Sequence, residues 1–292
     1  MVSMNEEVEA GPKAAQWDLV ITGKKNLVAL QLNDIWRYRD LLYMMVKRDI
    51  AVTYKQTILG PLWFFLQPIL TATVYVVVFS RIAGLSTNGM PPVLFYLSGT
   101  IIWSYFADCF NSTSSTFVQN AGLFGKVYFP RIVVPISKVV SGLLKFLIQF
   151  LLFFAMYVLY WARGYELHPT SALFYLPLMV LMMGVLGLGL GIFFSSLTTK
   201  YRDLVFLIQF GVQLLMYATP VIYPLSTVPE KYKVWILLNP MTPVLEGFRA
   251  AFLGAGDFQP SYLAMSCGIT VVMFVVGLVV FNYTEKDFMD SV

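Results

Sequence analysis

Residues 173–196 read LFYLPLMVLMMGVLGLGLGIFFSS, an apolar run without a charged side chain. A helix needs about 20 mostly apolar residues to cross the hydrocarbon core of a bilayer, so this run is long enough to span one. Similar runs occur at 61–81, 93–110, 136–160, 204–222 and 261–282. The runs are continuous and do not alternate, which excludes a membrane β-barrel. The sequence therefore predicts an all-α membrane protein with six transmembrane helices.

The composition also points to lipid as the main solvent. Of the 292 residues, 58% are hydrophobic and only 12% are charged, whereas a soluble domain carries about 25% charged residues. So few charges cannot cover a surface that faces water, so most of the chain is expected to face lipid.

The basic residues predict how the chain is oriented. Six spans place residues 1–60, the loop after span two with the start of span three, the loop after span four, and the C-terminal tail on one side. These segments hold 14 of the 20 Lys and Arg residues, and cytoplasmic loops are the ones enriched in these residues. We therefore predict a multi-pass protein with both termini in the cytoplasm.

The N-terminal region differs from the spans. Residues 1–32 are predicted to form a cytoplasmic tail. Residues 33–55 interleave charged and aromatic side chains and contain no long apolar run, which predicts an amphipathic helix in the cytoplasmic membrane interface. The alternative is a soluble connector helix. The six-span domain then covers residues 56–292.

The loop between spans five and six is too apolar for a solvated loop, and its apolar stretches are too short to span. Stretches of this length are typical of re-entrant or interfacial helices. We predict two half-helices, 229–238 and 242–253, with a break at Asn239–Pro240. Irregular backbone at membrane depth must be buried in protein or line a cavity, so this hairpin is expected to cover a translocation path.

The sequence contains no recognisable catalytic or nucleotide-binding motif. It has neither a GxxxxGK[ST] phosphate loop nor an HExxH zinc motif. The single histidine, His168, lies in a short outer loop, and Cys109 and Cys267 are interpreted as buried free thiols. We therefore expect no enzymatic activity, no metal site, no cofactor in this chain and no nucleic-acid partner. If the chain takes part in an energy-driven process, we expect the energy to come from another protein or another source outside this chain.

Polar residues within the spans recur at helical spacing, which puts them on single helix faces. The stripes of spans one and five consist of Trp63, Gln67, Thr71, Tyr75, Gln209, Gln213 and Tyr217. Another polar stripe, in span two, consists of Ser104, Asp108, Asn111, Ser112 and Ser115. These faces either line a wet path through the bundle or join helices by hydrogen bonds. Amide and aromatic side chains suit sugars, since rings stack on aromatic faces and hydroxyls pair with amides.

Two charged residues lie deepest in apolar sequence, Asp108 in span two and Lys145 in span three. Each would be costly alone in lipid, so we predict that they pair. The glycines of span four are predicted to allow close helix packing. Residues 120–135 are apolar but interrupted by prolines, and a structured apolar segment on the cytoplasmic side indicates a protein partner.

Four motifs in the same order resemble the permease subunits of ABC-2 type polysaccharide exporters. They are KRDIAVTYKQTILGPLWFFLQP (47–68), FPRIVVP (129–135), KYRDL (200–204), and YPLSTVPEKY with LNPMTPVLEGFR (223–249). The resemblance covers about residues 33–285. It implies the transmembrane subunit of an ATP-driven exporter in the inner membrane, with two copies forming a channel above two copies of a separate ATPase that uses Mg-ATP. The implied cargo is a lipid-linked polysaccharide, typically O-antigen on undecaprenyl diphosphate, with capsule or teichoic acid in relatives.

The resemblance also implies roles for two segments. The region around 118–131 would be a coupling segment that contacts the ATPase, with candidates Asn120, Phe124, Lys126 and Arg131. The hairpin over 223–253 would be an outer gate, with candidates Asn239, Pro240, Glu246 and Arg249.

Basic residues of the interfacial helix are hypothesised to hold the diphosphate of the lipid carrier, since arginine presents forked donors to phosphate. These residues are Arg37, Arg39, Lys47 and Arg48. The alternative is ordinary contact with anionic lipids. Two other functions stay open from the residues alone: an ATP-driven exporter of small molecules, and a secondary transporter, which would need buried ionisable relays.

Overall fold

The structure is a computed structural model that describes residues 32–55, 58–124 and 129–290. Within these ranges every regular element is helical, as predicted. Residues 1–31 of the predicted cytoplasmic tail lie outside the described part of the chain. The helices in chain order are α1 (Leu32–Arg37), α2 (Arg39–Tyr54), α3 (Trp63–Tyr75), α4 (Pro92–Ser114), α5 (Thr116–Phe124), α6 (Val133–Ala162), α7 (Leu176–Lys200), α8 (Leu204–Ala218), α9 (Glu230–Leu237), α10 (Met241–Leu253) and α11 (Pro260–Asp290).

In the described part of the chain, five helical stretches are long and apolar enough to cross a membrane. They coincide with predicted spans one to four and six. Their bounds are Gly60–Ile82, Pro92–Ser114, Val133–Ala162, Ser171–Lys200 and Pro260–Glu285. The first is not one uniform helix, because a 3₁₀ turn precedes α3 and a π-helical segment, Val76–Ile82, follows it.

The predicted fifth span is shorter than expected. The sequence predicts a helix over 204–222, but α8 ends at Ala218 after 15 residues, which is about 22 Å. Thr219 has extended backbone (φ −102°, ψ 144°). Its neighbour Pro220 causes this, because the ring of a proline disfavours helical backbone at the preceding residue.

The N-terminal helix predicted over 33–55 is divided into α1 and α2 at Tyr38, whose backbone is not helical. Met45 and Val46 are buried against the rest of the chain, whereas Tyr43 and Met44 are exposed. Asp49 forms an ion pair with Lys138 of α6, at 2.8 Å. The element is therefore a helix packed on the start of α6, and its exposed side carries apolar and aromatic residues beside charged ones.

Helix α4 is the most buried of the five span-length helices, and α7 is the next. The glycines of α7 allow this packing, as the sequence predicts. A Cβ on Gly187 would lie 2.6 Å from the Cβ of Cys109 in α4, and one on Gly189 would lie 2.7 Å from the Cα of Phe274 in α11. Because any side chain there would collide, α7 sits in close contact with α4 on one side and α11 on the other.

The two ends of the bundle join segments that the sequence assigns to the same side. At one end, Phe117 donates its backbone N–H to the Ser195 hydroxyl and stacks on Phe281. At the other end, the amide of Asn88 bonds to the hydroxyl of Ser226 at 2.8 Å. Helices α4, α6, α7 and α11 run between these ends.

The two half-helices predicted between spans five and six are present as α9 and α10, with the break at the predicted position. Every residue of α10 is buried, and its Phe248 packs on Phe153 of α6 with ring centroids 5.2 Å apart. Gly254 ends α10 in the left-handed conformation (φ 69°), which glycine adopts without strain. Helix α10 is thus inserted between the other helices, whereas most residues of α9 are exposed.

Candidate translocation site

The polar stripe predicted on span one lies partly in a cavity of 180 Å³ enclosed by α3, α4, α6 and α8. Of its four predicted members, Gln67, Thr71 and Tyr75 line the cavity, whereas Trp63 does not. The remaining lining residues are Pro68, Thr100, Trp103, Ser104, Gln149 and Met216. The cavity therefore combines amides, hydroxyls and aromatic rings, which are groups that can contact a sugar.

The stripe predicted on span five lies outside this cavity. Gln209, Gln213 and Tyr217 are all exposed on the surface of the single chain. Helix α8 nevertheless lies beside α3, since the Tyr75 hydroxyl is 3.8 Å from the Met216 sulfur. Together α3 and α8 present a surface with polar and aromatic residues on the outside of the chain.

A larger cavity of 650 Å³ lies next to the first, and α3, α4 and α6 contribute to both. The two meet along α6, where Lys145 lines the larger cavity and Gln149, one turn further, lines the smaller. The polar residues of α6 that line the two cavities are Lys138, Ser141, Lys145 and Gln149. The spacing of three or four residues puts them on one face. The sequence analysis missed this stripe, although the spacing alone would have indicated it.

The predicted pairing of the two deep charges is confirmed. Lys145 Nζ lies 2.6 Å from Asp108 Oδ2 and 5.9 Å from the centre of the Phe64 ring. The carboxylate side chain is 44% exposed and that of the lysine 23% exposed, in the wall of the larger cavity. The pair joins α4 to α6 and neutralises both charges.

The predicted gate residue Arg249 is fully buried, near the end of the bundle where Asn88 bonds to Ser226. Its guanidinium donates to the carbonyl oxygens of Pro220 (2.6 Å) and Val221 (2.8 Å), just beyond the end of α8. It also lies over the Phe95 ring of α4, 3.7 Å from the centroid. Arg249 therefore ties α10 to both α4 and the segment that follows α8.

Glu246, one turn earlier on α10, supplies the compensating charge. Its Oε1 is 3.3 Å from Arg249 Nη1, and its Oε2 accepts from the backbone N–H of Asp257. The Asp257 carboxylate in turn binds Lys233 of α9 at 3.2 Å. This hydrogen bond raises the pKa of Lys233 above its ordinary value. A chain of polar contacts thus runs from the end of α8 to the exposed helix α9.

The break between the two hairpin helices is held by Asn239. Its side-chain N–H donates to the Thr219 hydroxyl at 2.7 Å, and its side-chain oxygen accepts from the Met241 backbone N–H at 3.0 Å. Pro240, with φ −63°, begins α10. All four predicted gate residues therefore lie at the junction of α8, α9 and α10.

Residues 40–253 match the ABC-2 type transporter family. This chain belongs to the ABC-2 type transporter family. The matched region begins in α2 and ends with α10, so it includes both cavities, the deep ion pair and the buried Arg249. The chain is therefore a multi-pass membrane permease of the ABC-2 type.

Several curated ABC-2 relatives are similar to the chain over almost their whole length. The O-antigen export system permease protein RfbA of Klebsiella pneumoniae is 28% identical over 251 residues, which is 86% of this chain and 94% of the relative. The RfbA protein of Myxococcus xanthus is 28% identical and covers 89% of this chain and 98% of its own. The polysialic acid transport protein KpsM of Escherichia coli is 25% identical, covering 84% and 93%.

The predicted coupling segment of this ABC-2 permease is helix α5 with the residues that follow it. Asn120 donates to the Thr116 carbonyl at a kink in α5 and lines the larger cavity. Phe124 and Arg131 are buried, with the guanidinium 5.5 Å from the ring centroid. Arg131 also donates to the backbone oxygen of Glu285 at 3.3 Å. Lys126 lies outside the described residues.

The four basic residues predicted to bind the carrier diphosphate are dispersed. Arg39 donates to the Trp36 carbonyl at 3.4 Å and lies 5.7 Å from the centre of its ring. The side chains of Arg37 and Lys47 are exposed. Only Arg48 lines the larger cavity, where it pairs with Asp49 at 3.1 Å. The structure therefore does not bring the four together.

Proposed function

We propose that this chain is the transmembrane subunit of an ATP-driven exporter that moves a lipid-linked polysaccharide, O-antigen on undecaprenyl diphosphate, across the inner membrane. The observation that carries the proposal is the similarity to O-antigen export permeases, which covers 94–98% of the length of those relatives. Capsule polysaccharide is the second candidate cargo, because the polysialic acid transporter is 25% identical over a similar length.

A homodimeric channel is part of this proposal. Helices α3 and α8 both pack on α4 and approach each other at Tyr75 and Met216. They carry exposed polar and aromatic residues, among them Gln67, Gln213 and Tyr217. Amides facing lipid would be costly, so a second copy packed against this surface would both cover it and enclose a path. Aromatic faces and amide groups in such a path suit a passing sugar chain.

The proposed topology has six spans, with α8 as the fifth, and both termini in the cytoplasm. Helix α8 is short, but the loop before it follows α7 at one end of the bundle, and Arg249 binds the residues after it at the other. The positive-inside bias supports the cytoplasmic assignment of the first end. Helices α1 and α2 then lie in the cytoplasmic interface, and α9 and α10 form a re-entrant outer hairpin.

A separate ABC ATPase, in two copies with Mg-ATP, is the proposed energy source, because this sequence contains no nucleotide-binding motif. On α5, the exposed residues are Gln119, Ala121 and Gly122, which favours this face as the contact surface, next to the candidate Asn120. The buried Phe124 and Arg131 would then position α5 against the end of α11.

In the proposed cycle, ATP binding moves α5 and α2, and these shift α3 and α8 through the bundle. The outer gate opens when Arg249 releases the two carbonyl groups that follow α8. Arg37, Arg39, Lys47 and Arg48 are proposed to contact lipid phosphates at the cytoplasmic surface during entry of the carrier.

The experiment is to co-express this chain with a candidate ABC ATPase subunit, purify the complex, and measure ATP hydrolysis in proteoliposomes. We expect a complex with two copies of each chain, whose turnover changes when lipid-linked O-antigen is added. A change only with capsule polymer would favour the second cargo. Stimulation by small amphiphilic molecules alone would indicate a small-molecule exporter. Proton-driven transport by this chain without an ATPase would overturn the proposal.

A further inference from the structure

Of the residues that line the 650 Å³ cavity between α2, α4, α5 and α6, only Arg48 and Asn120 have a role in the function proposed above. Its size falls within the range of about 300–1,000 Å³ that small-molecule sites occupy. Its wall carries three basic side chains, Arg48, Lys138 and Lys145, and two acidic ones, Asp49 and Asp108. Three minus two leaves one excess positive charge, which suits a polar ligand that carries negative charge.

The basic side chains in this wall have donors beyond those used in their ion pairs. Lys138 Nζ lies 2.8 Å from Asp49 Oδ2, and Arg48 contacts the other oxygen of this carboxylate through two nitrogens. An ammonium carries three N–H donors and a guanidinium five, so these contacts use one and two of them. Further donors on the same two groups can serve the oxygens of a ligand in the cavity.

The cavity is amphipathic and lies where a lipid headgroup would be. Lys138 is five residues into α6, at the end of the bundle proposed to be cytoplasmic, and Lys145 is about 10 Å further along. Apolar residues, Ile50, Val52 and Phe64, line it beside the charged ones. Charged groups at this depth must be solvated by water or by a polar ligand.

Asn111 also lines the cavity. Its Oδ1 is buried without a hydrogen-bond partner in the described part of the chain, so its amide N–H groups are the part of the side chain that can donate to an oxygen of a ligand.

We propose that this cavity binds the phosphate group of an inner-leaflet lipid, with Arg48 and Lys138 donating to its oxygens. Arginine is suited to this role because its forked donors match phosphate geometry. The phosphate belongs either to bulk anionic phospholipid or to the phosphorylated carrier of the glycan. The inference rests on the proposed orientation of the chain and not on the identity of the cargo.

The test uses the full chain purified in dodecyl maltoside, a detergent without phosphate. Binding of dioctanoyl phosphatidylglycerol is measured by calorimetry, with dioctanoylglycerol as the phosphate-free control ligand. We expect the phospholipid alone to bind. Arg48→Gln and Lys138→Gln should each weaken binding about tenfold or more, since each removes charged hydrogen bonds. Lys55→Gln, an equal charge change at an exposed residue outside the cavity, should leave binding unchanged.

Ser141→Phe provides a second variant, because it fills the cavity and leaves both ion pairs in place. It should abolish binding in a chain that elutes as a folded species. Wild-type affinity in all three cavity variants, or equal loss with Lys55→Gln, would overturn the proposal.

Competition with farnesyl diphosphate, a soluble isoprenoid diphosphate, separates the two sources. Displacement of the phospholipid at lower concentration supports the carrier, and the reverse order supports bulk phospholipid. The complex could bind phosphatidylglycerol normally while its ATP hydrolysis does not change on addition of lipid-linked glycan. This result would count against the proposed function and would still support the phosphate site.

Discussion

The buried pair of Arg249 and Glu246 gives a quantitative test of the contacts that hold the proposed outer gate closed. Arg249→Met removes the cation and leaves a carboxylate that is only 4% exposed, together with the carbonyl oxygens of Pro220 and Val221. Removing one partner of a buried ion pair costs about 3–5 kcal/mol, because the other charge is left uncompensated. Glu246→Gln should cost a similar amount for the same reason.

The double variant should be much less destabilised than the sum of the two single variants. With neither charge present, the remaining cost is that of the unpaired carbonyl groups, about 1–3 kcal/mol for each. The double-mutant cycle of Arg249 and Glu246 should therefore give a coupling energy of at least about 2 kcal/mol. The measurement is reversible unfolding of the purified chain in mixed micelles with increasing sodium dodecyl sulfate.

A comparison comes from Lys233 and Glu230 of α9, which have the same spacing of three residues and lie 3.7 Å apart, but whose glutamate side chain is 88% exposed. Their cycle should give a coupling energy near zero, since water screens exposed pairs. Additivity within about 0.5 kcal/mol for Arg249 and Glu246 would refute the reasoning. It would mean that the guanidinium is not held by its buried carboxylate partner.

Three further predictions concern other parts of the bundle. Asp108→Ala should destabilise the chain by only about 0.5–1 kcal/mol, because water reaches this carboxylate. Exchanging the two charges, Asp108→Lys with Lys145→Asp, should restore stability. A double variant that loses as much stability as two unpaired charges would cost contradicts the pairing. Gly189→Ala should cost about 1–3 kcal/mol, because its Cβ would lie 2.7 Å from backbone of α11, whereas Gly268→Ala, which meets no atom within 4 Å, should be neutral or stabilising in the same unfolding assay. The pKa of Lys233 is raised in the folded chain, so its ion pair contributes its full stability below the unfolded pKa of about 10.5, and this stability is lost as pH rises through the higher folded pKa. The stability difference between wild type and Lys233→Met should therefore be constant from about pH 7 to 9 and shrink above about pH 10.5. A difference that stays constant at all pH values would argue against the pair.

Much of the fold could be predicted from the sequence, because the decisive signals are local. The length of an apolar run fixes whether a helix can cross the bilayer, and five of the predicted spans match span-length helices within a few residues. The hairpin break at Asn239–Pro240 follows from proline chemistry. The pairing of Asp108 with Lys145 followed from the cost of leaving either charge alone in lipid.

The candidate site was only partly predictable. Gln67, Thr71 and Tyr75 do line a cavity, but Trp63 on the same stripe does not. Periodicity places residues on one face of a helix without saying what that face meets. The stripe on α6 was readable in the same way, yet its meaning depends on α2, α4 and α5, which lie far away in sequence.

The sequence by itself determined that this chain is helical, resides in a membrane and has two short helices interrupted at Asn239–Pro240, since apolar length, glycine and proline act on neighbouring residues. Only the tertiary structure decided that Arg249 is fully buried on the carbonyls that follow α8, and that one polar cavity follows another along α6. The physical reason is that burial and charge compensation are properties of contacts between distant segments. A residue's own sequence neighbourhood does not specify those contacts.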